Sequence, residues 1–246
     1  MFGFLKKKPP AGAVLAPLGC DMHSHLIPGI DDGAPDMDTA LELIRGLAEL
    51  GYKRLITTPH INGDVFPNTI GIIRAGEAAV TEQLRKEGID VGFRAAAEHL
   101  LDDYFTRALS AGEPFLTLKD NLLLVELSFA VPMINLKEII FDIQLKGYVP
   151  VLAHPERYLY FAANRGWYDQ LRDAGCLFQL NLLSFIGYYG RDAQELAGWL
   201  VKRNYVEFLG TDLHHYRHLE ILRSSSRIPR IVQQLTDKGL LRNETL

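Results

Sequence analysis

From Gly19 onward, short and continuously apolar runs alternate with longer segments whose apolar residues recur at a helical period. Cys20–His25 reads as a first strand. The helix after it is capped by Asp36 or Asp38 and carries Ala40, Leu41, Leu43, Ile44, Leu47 and Ala48 on one stripe, with Gly51 as its stop. Strands are then expected over 54–60, 91–99, 121–129, 148–154, 176–183 and 205–212. The helices between and after them are expected over 68–86, 102–110, 134–146, 164–174, 192–202 and 230–238.

This alternation predicts α/β architecture with mostly parallel strands. Strands that are apolar on both faces are covered on both faces, which suits a doubly wound sheet or a barrel equally. No linker or composition break divides the chain, so one domain over residues 19–246 is expected. Residues 1–18 are expected to be a short flexible leader. Met1–Lys8 puts its apolar residues ahead of three lysines, the reverse of a secretory signal.

Composition narrows the classes of function. No apolar run approaches the ~18 residues of a membrane-spanning helix. A net charge of −4 lacks the basic excess of a nucleic-acid binder. Two cysteines, Cys20 and Cys176, cannot build a disulfide framework, which points to a reducing, cytoplasmic compartment.

The histidines carry the chemistry. His23, His25, His60, His154, His214 and His215 all fall at or just after the C-terminal end of an expected strand, where parallel α/β folds build their sites. His23 and His25, two apart on a strand, face the same way and can chelate one cation. Asp212-Leu213-His214 repeats that spacing at the end of the seventh strand. Glu126 sits in an otherwise apolar strand, where a carboxylate needs a cation or strong hydrogen bonds to offset its desolvation. Of the neighbours Glu98 and His99, one is expected to face the site, and spacing leaves open which. His60 and His154 each end a strand beside a proline, and the loop Asp31-Asp32-Gly33 offers a further carboxylate.

Together these are four or five imidazoles and four carboxylates, too many for one zinc and enough for two or three ions. Mixed N/O donors without thiolate favour Mn, Fe or Zn over calcium. Clustered ions of this kind are typical of phosphate-ester hydrolysis. A cysteine-phosphatase loop is absent, since Leu26 and Leu182 stand where its arginine would follow Cys20 or Cys176; no Walker-type loop or Gly-x-Ser-x-Gly elbow occurs either.

His23-Ser24-His25, Pro28–Gly33, Thr58-Pro59-His60, His154-Pro155-Glu156-Arg157 and Thr211–His214 together resemble the PHP (polymerase and histidinol phosphatase) superfamily. More narrowly they resemble its bacterial tyrosine-protein phosphatase branch, the CpsB/YwqE type, as do Asn181–Ser184 and Gly187–Gly190. The resemblance spans about Gly19 to His218. It implies a distorted (β/α)7 TIM-like barrel with a trinuclear centre, manganese first among the candidate ions and Fe, Zn or Mg next. It implies His23, His25, Glu98 and Asp212 on one ion. Glu98 would bridge to a second ion held with Glu126 and His154, and Asp32, His60 and His214 would hold the third.

On that footing a metal-bridging hydroxide would attack phosphorus in line with a leaving phenolate. Arg157 is the expected phosphate clamp, because a guanidinium matches phosphate bidentately, and Arg217 is a second candidate. Arg223, Arg227 and Arg230 are expected to be a solvated basic stretch. The resemblance implies phosphotyrosine as substrate, on the tail of a bacterial tyrosine kinase that governs capsule or exopolysaccharide production. Another phosphoesterase of the same scaffold (histidinol-phosphate phosphatase or nuclease) and a non-catalytic binder of the kinase tail are the alternatives.

Overall fold

Every strand pair in this computed structural model is parallel, and the order of strands across the sheet follows the chain. Residues 14–246 are described. One sheet has the order β1 (Cys20–Asp21), β2 (Arg54–Thr57), β4 (Gly92–Ala95). The other has β3 (His60–Ile61), β5 (Glu98–Leu100), β6 (Leu122–Glu126), β7 (Val149–Ala153), β8 (Leu177–Asn181) and β9 (Phe208–Gly210). The result is a mixed α/β, single-domain fold built on a curled parallel sheet.

The helices are α1 (Met37–Glu49), α2 (Ile70–Lys86), α3 (Asp103–Ala111), α4 (Leu136–Leu145), α5 (Gly166–Asp173), α6 (Arg191–Lys202), α7 (Tyr216–Ser224) and α8 (Ile228–Asp237). The starts of α1, α2 and α3 are set by side chains that accept the otherwise unpaired first-turn amides. Asp36 caps Thr39 N at 2.8 Å, Thr69 caps Ile72 N at 3.3 Å and Asp102 caps Phe105 N at 2.7 Å. Leu43, Ile44 and Leu47 of α1, with Leu196 and Leu200 of α6, bury the predicted stripes against the sheet.

The strands are shorter than the apolar runs suggest. The run 54–60 divides into β2 and β3 around Thr58-Pro59, since proline has no N–H for the ladder. The run 91–99 divides into β4 and β5 in step with it, so pairing shifts from one sheet to the next. Beyond β1, only Ser24 continues the first strand, as a parallel bridge to Leu213. Asp212 N donates to His23 O (2.7 Å) and His25 N to Leu213 O (2.9 Å), so the first and last strand regions meet at this end. At the opposite end, buried Asn243 ties Leu209 to Cys20 through its side chain. The last expected helix begins two residues earlier than expected and is preceded by α7, which the sequence reading left out.

The expected leader falls outside the described residues up to residue 13; its last residues are placed, with Leu15 and Leu18 buried in the core. Both cysteines are buried free thiols, pushed up to about 12 by burial. Among the described residues no helix is long and apolar enough to cross a membrane.

Candidate metal centre

The C-terminal ends of the strands deliver their side chains to one point. His23 and His25 follow β1, His60 opens β3, Glu98 opens β5, Glu126 closes β6, His154 follows β7, and Asp212 and His214 follow β9. Two of these positions are held in a left-handed backbone, His154 at φ 31° and Asp212 at φ 50°. For non-glycine residues that conformation costs about 1 kcal/mol or more each. The strain falls where side chains must be aimed, and the surrounding hydrogen bonds sustain it.

Glu98 is the centre of the cluster. Its Oε2 lies 3.1 Å from His23 Nε2, 3.5 Å from His25 Nε2 and 3.2 Å from His60 Nδ1, and its Oε1 lies 3.1 Å from His154 Nε2. Asp212 Oδ1 is 3.4 Å from His23 Nε2, His25 Nε2 and His214 Nδ1. Glu126 stands 3.5 Å from His60 and 3.6 Å from His154. Asp32, more exposed, is 3.5 Å from both His60 Nε2 and His214 Nε2. Two donors about 2.0–2.2 Å from one ion are separated by about this distance.

For His25, His23 and His214 the far side of the ring explains its orientation. His25 Nδ1 donates to buried Asp31 Oδ2 at 2.8 Å, and His23 Nδ1 donates to Gln179 Oε1 at 2.8 Å. His214 Nδ1 donates to the backbone oxygen of Asp212 at 2.9 Å. Each bond fixes the tautomer and leaves the Nε2 lone pair facing carboxylate oxygens. Lone pair against carboxylate is repulsive without a cation between them or a proton on the ring. His25 Nε2 and His154 Nδ1 are also buried without a hydrogen-bond partner.

Charge makes the same demand. Glu98, Asp212 and Glu126 are all buried, yet among the described residues Arg157 is the one lysine or arginine lining the cleft. Burial pushes Glu126 well above the usual carboxylate range, and Glu98 and Asp212 beside it add to the shift. Burial opposes ionisation of Glu98 as well, but the imidazoles of His23, His60 and His154 overcome it and hold Glu98 well below that range. Burial alone would keep His23 and His25 neutral; the surrounding carboxylates instead raise both above the usual histidine value. His154 is pushed down to about 4 by burial and by Arg157. These residues fit metal ions, as four inward-facing donor sets: His25–Asp32–His60–His214, His23–His154–Asp212, His23–His25–Glu98 and His60–Glu98–Glu126.

All nine expected ligands therefore converge. The Glu98/His99 alternative resolves geometrically, because His99 lies outside the cluster between Phe105 and Phe115. Arg157 lines a cleft of about 270 Å³, donates Nη1 to Asp212 Oδ2 at 2.8 Å, and is flanked by the rings of Phe129 (4.6 Å) and Tyr189 (4.2 Å). Arg217 is exposed at the start of α7, 5.8 Å from the Tyr188 ring and outside the cleft lining. Arg223 pairs with Glu49 on the surface.

Several further residues complete the site. Gln179 and Asp31 act from behind the imidazoles, while Phe129, Tyr189, His215 and His218 line the cleft. Buried Glu156 accepts from Asn181 N (2.9 Å) and Ser184 Oγ (2.7 Å), linking the loop after β7 to the end of β8. Small residues are required at close approaches. A Cβ on Gly33 would lie 2.3 Å from the His25 oxygen, and one on Gly210 2.8 Å from His23 Cβ.

Comparison with known proteins gives consistent results. The family model described as capsular polysaccharide synthesis, CpsB/CapC, matches residues 19–239. The tyrosine-protein phosphatase YwqE of Bacillus subtilis (strain 168) is 30% identical over 198 residues, 80% of this chain and 78% of that protein. The putative tyrosine-protein phosphatase CapC of Staphylococcus aureus is 24% identical over 197 residues, 79% and 76% of the two chains. A crystal structure from the pair YwqE (Bacillus subtilis) and CpsB (Streptococcus pneumoniae), described as unique metal-dependent tyrosine phosphatases, aligns with a TM-score of 0.75. That alignment has 26% identity and covers 90% of this chain and 94% of the other.

Proposed function

This chain belongs to the CpsB/CapC family of capsular polysaccharide synthesis, and we propose that it is a metal-dependent protein-tyrosine phosphatase, as its relatives YwqE and CpsB are named. The observation that carries this function is the set of anchored imidazoles whose free lone pairs face Glu98 and Asp212 at 3.1–3.5 Å. Two or three ions account for that arrangement. His23, His25, Glu98 and Asp212 would hold the first, and Glu98, Glu126 and His154, with His60 in reach, would hold the second. Asp32, His60 and His214 would hold the third. Nitrogen and oxygen donors suit manganese first, then iron, zinc or magnesium.

When bound, the ions supply water activation and neutralise phosphoryl charge. The protein's own residues do the rest. Arg157, oriented by Asp212 and by two aromatic faces, clamps phosphate with its remaining N–H groups. Arg217 has no part in that clamp. Asp31 and Gln179 keep His25 and His23 in the tautomers that ligation needs. The rings of Phe129 and Tyr189 pack against the Arg157 guanidinium and hold it in place.

The strand order supports the finer fold. With β2–β3 and β4–β5 each taken as one interrupted strand, the nine strands among the described residues become seven, and the Ser24–Leu213 bridge brings the last beside the first. A distorted (β/α)7 barrel over 19–246 is the architecture we assign, with the site on its C-terminal rim. The substrate is a phosphotyrosine-bearing protein tail, that of a bacterial tyrosine kinase acting in capsule or exopolysaccharide production.

The test is turnover of a phosphotyrosyl peptide beside histidinol phosphate and an oligonucleotide, after reconstitution with manganese. Preference for the peptide supports the proposal; turnover confined to either of the other substrates moves the chain to a different phosphoesterase activity.

A further inference from the structure

Between β6 and α4 the chain runs Ser-Phe-Ala-Val-Pro-Met-Ile-Asn over 128–135, six consecutive apolar residues without a charge. They form a surface loop, with Phe129 47%, Val131 63% and Ile134 96% exposed. Both ends of the loop are fixed. Leu127 N donates to Tyr158 OH at 3.0 Å, Tyr160 OH donates to Ser128 O at 2.9 Å, and Leu136 is buried. Of the six, Met133 alone packs on the main core. Val131 and Ile134 therefore stand outside the core, and an exposed apolar run of this length marks a contact surface.

The inner end of the run belongs to the metal site. The Phe129 ring stacks on His154 (centroids 5.5 Å apart, planes at 28°) and covers the Arg157 guanidinium. A phosphate ester held by Arg157 thus has an aromatic face beside it, and the apolar strip continues from that face for five residues along the rim.

We propose that this loop docks the polypeptide segment carrying the phosphotyrosine. Phe129 lies along the tyrosine ring, while Val131 and Ile134 meet apolar side chains flanking it. The proposal rests on the phosphatase function above. The occupant follows from continuity with the cleft and from charge. Charged flanks would be desolvated against this strip without a partner. A bilayer surface is disfavoured, because the loop 128–135 carries no lysine or arginine and exposed Lys137 just beyond it is followed by the opposite charge of Glu138.

The probe is a fluorescent peptide in which a non-hydrolysable phosphonate replaces phosphotyrosine, made with Val/Ile flanks and with Ser/Gly flanks. Binding to the manganese-loaded protein is followed by anisotropy. The apolar-flanked peptide binds the wild type about tenfold more tightly than the other, and V131S/I134S brings the ratio close to one. Both substitutions are on the surface, where polar replacement leaves the fold intact. Equal affinities in the wild type, a ratio unchanged in the variant, or vesicle co-sedimentation that the variant abolishes without a peptide preference would each overturn docking. Turnover of the parent phosphotyrosyl peptides on the same sample reports separately on the phosphatase function. Tight, flank-dependent binding without turnover refutes that function and leaves the docking surface standing.

Discussion

Arg157 Nη1 and Asp212 Oδ2 form a 2.8 Å ion pair in the floor of the cleft, joining the proposed phosphate clamp to a proposed metal ligand. Asn181 Nδ2 also donates to that Asp212 oxygen, at 3.0 Å. The pair couples the position of the guanidinium to the loading of the centre. Arg157→Ala is therefore expected to lower kcat/KM for aryl phosphates about 100-fold or more while the ions stay bound. Steady-state kinetics together with elemental analysis of the variant checks this. Arg217→Ala, outside the cleft, is expected to leave kcat/KM within about twofold.

Asp31 has no place among the ligands, yet it holds His25 from behind. Asp31→Asn removes the charge that supports the His25 tautomer, and metal affinity is expected to fall about 10–100-fold. Gln179→Leu acts on His23 in the same way. Chelator competition with manganese measures both.

How much of this could be read from the sequence differs by residue. His23-x-His25 and Asp212-x-His214 were legible as paired donors at the C-terminal end of a strand, although both pairs lie just past β1 and β9 and Asp212 takes a left-handed backbone, so strand alternation does not itself aim them. Glu126 was legible because a carboxylate in an apolar strand needs compensation. Gln179 was not, since its partner His23 arises from packing between strands remote in sequence and an isolated Gln in a strand has no signature; Asp31 was visible as a loop carboxylate six residues from His25, but its place behind the ring depends on how that loop folds back. The division of the long apolar runs escaped periodicity because the ladder switches sheets at Thr58-Pro59, while residues 96–97 remain as apolar as the strands they interrupt. Helix α7 was hidden by its polar opening, His215-Tyr216-Arg217. The α/β alternation, the parallel pairing of the strands and the end of the strands at which the histidines gather were legible from the start.

Glu156 provides a pH signature. Burial raises its carboxyl to about 7 from an ordinary value of 4.5. A folded-state value above the unfolded one favours the protonated form. Its cost is thus absent below pH 4.5, grows as pH rises towards 7, and is fully present above, at most about 3 kcal/mol. Glu156→Gln keeps the acceptor for Asn181 N and Ser184 Oγ without the charge. Thermal unfolding is expected to show the wild type losing a few degrees relative to the variant between pH 5 and pH 8.

Gly33→Ala tests how tightly the first histidine pair is confined. Its Cβ would sit 2.4 Å from His25 Cβ and 2.3 Å from the His25 oxygen, with no flexible atom to give way. Metal content and turnover are expected to fall together by about tenfold or more, although no ligand is altered. Elemental analysis and kinetics on the same preparation read both.

The central claim is that Glu98, touching four imidazoles with its two oxygens, is the shared ligand of a multinuclear hydrolytic centre. The direct test is metal stoichiometry and phosphotyrosyl-peptide turnover on the same reconstituted sample, for the wild type and for Glu98→Gln. The account predicts two or three ions per wild-type chain with peptide turnover. In the variant it predicts one ion or none, and turnover at background. Wild-type turnover without bound metal, or a Glu98→Gln protein that keeps both its ions and its rate, would contradict it.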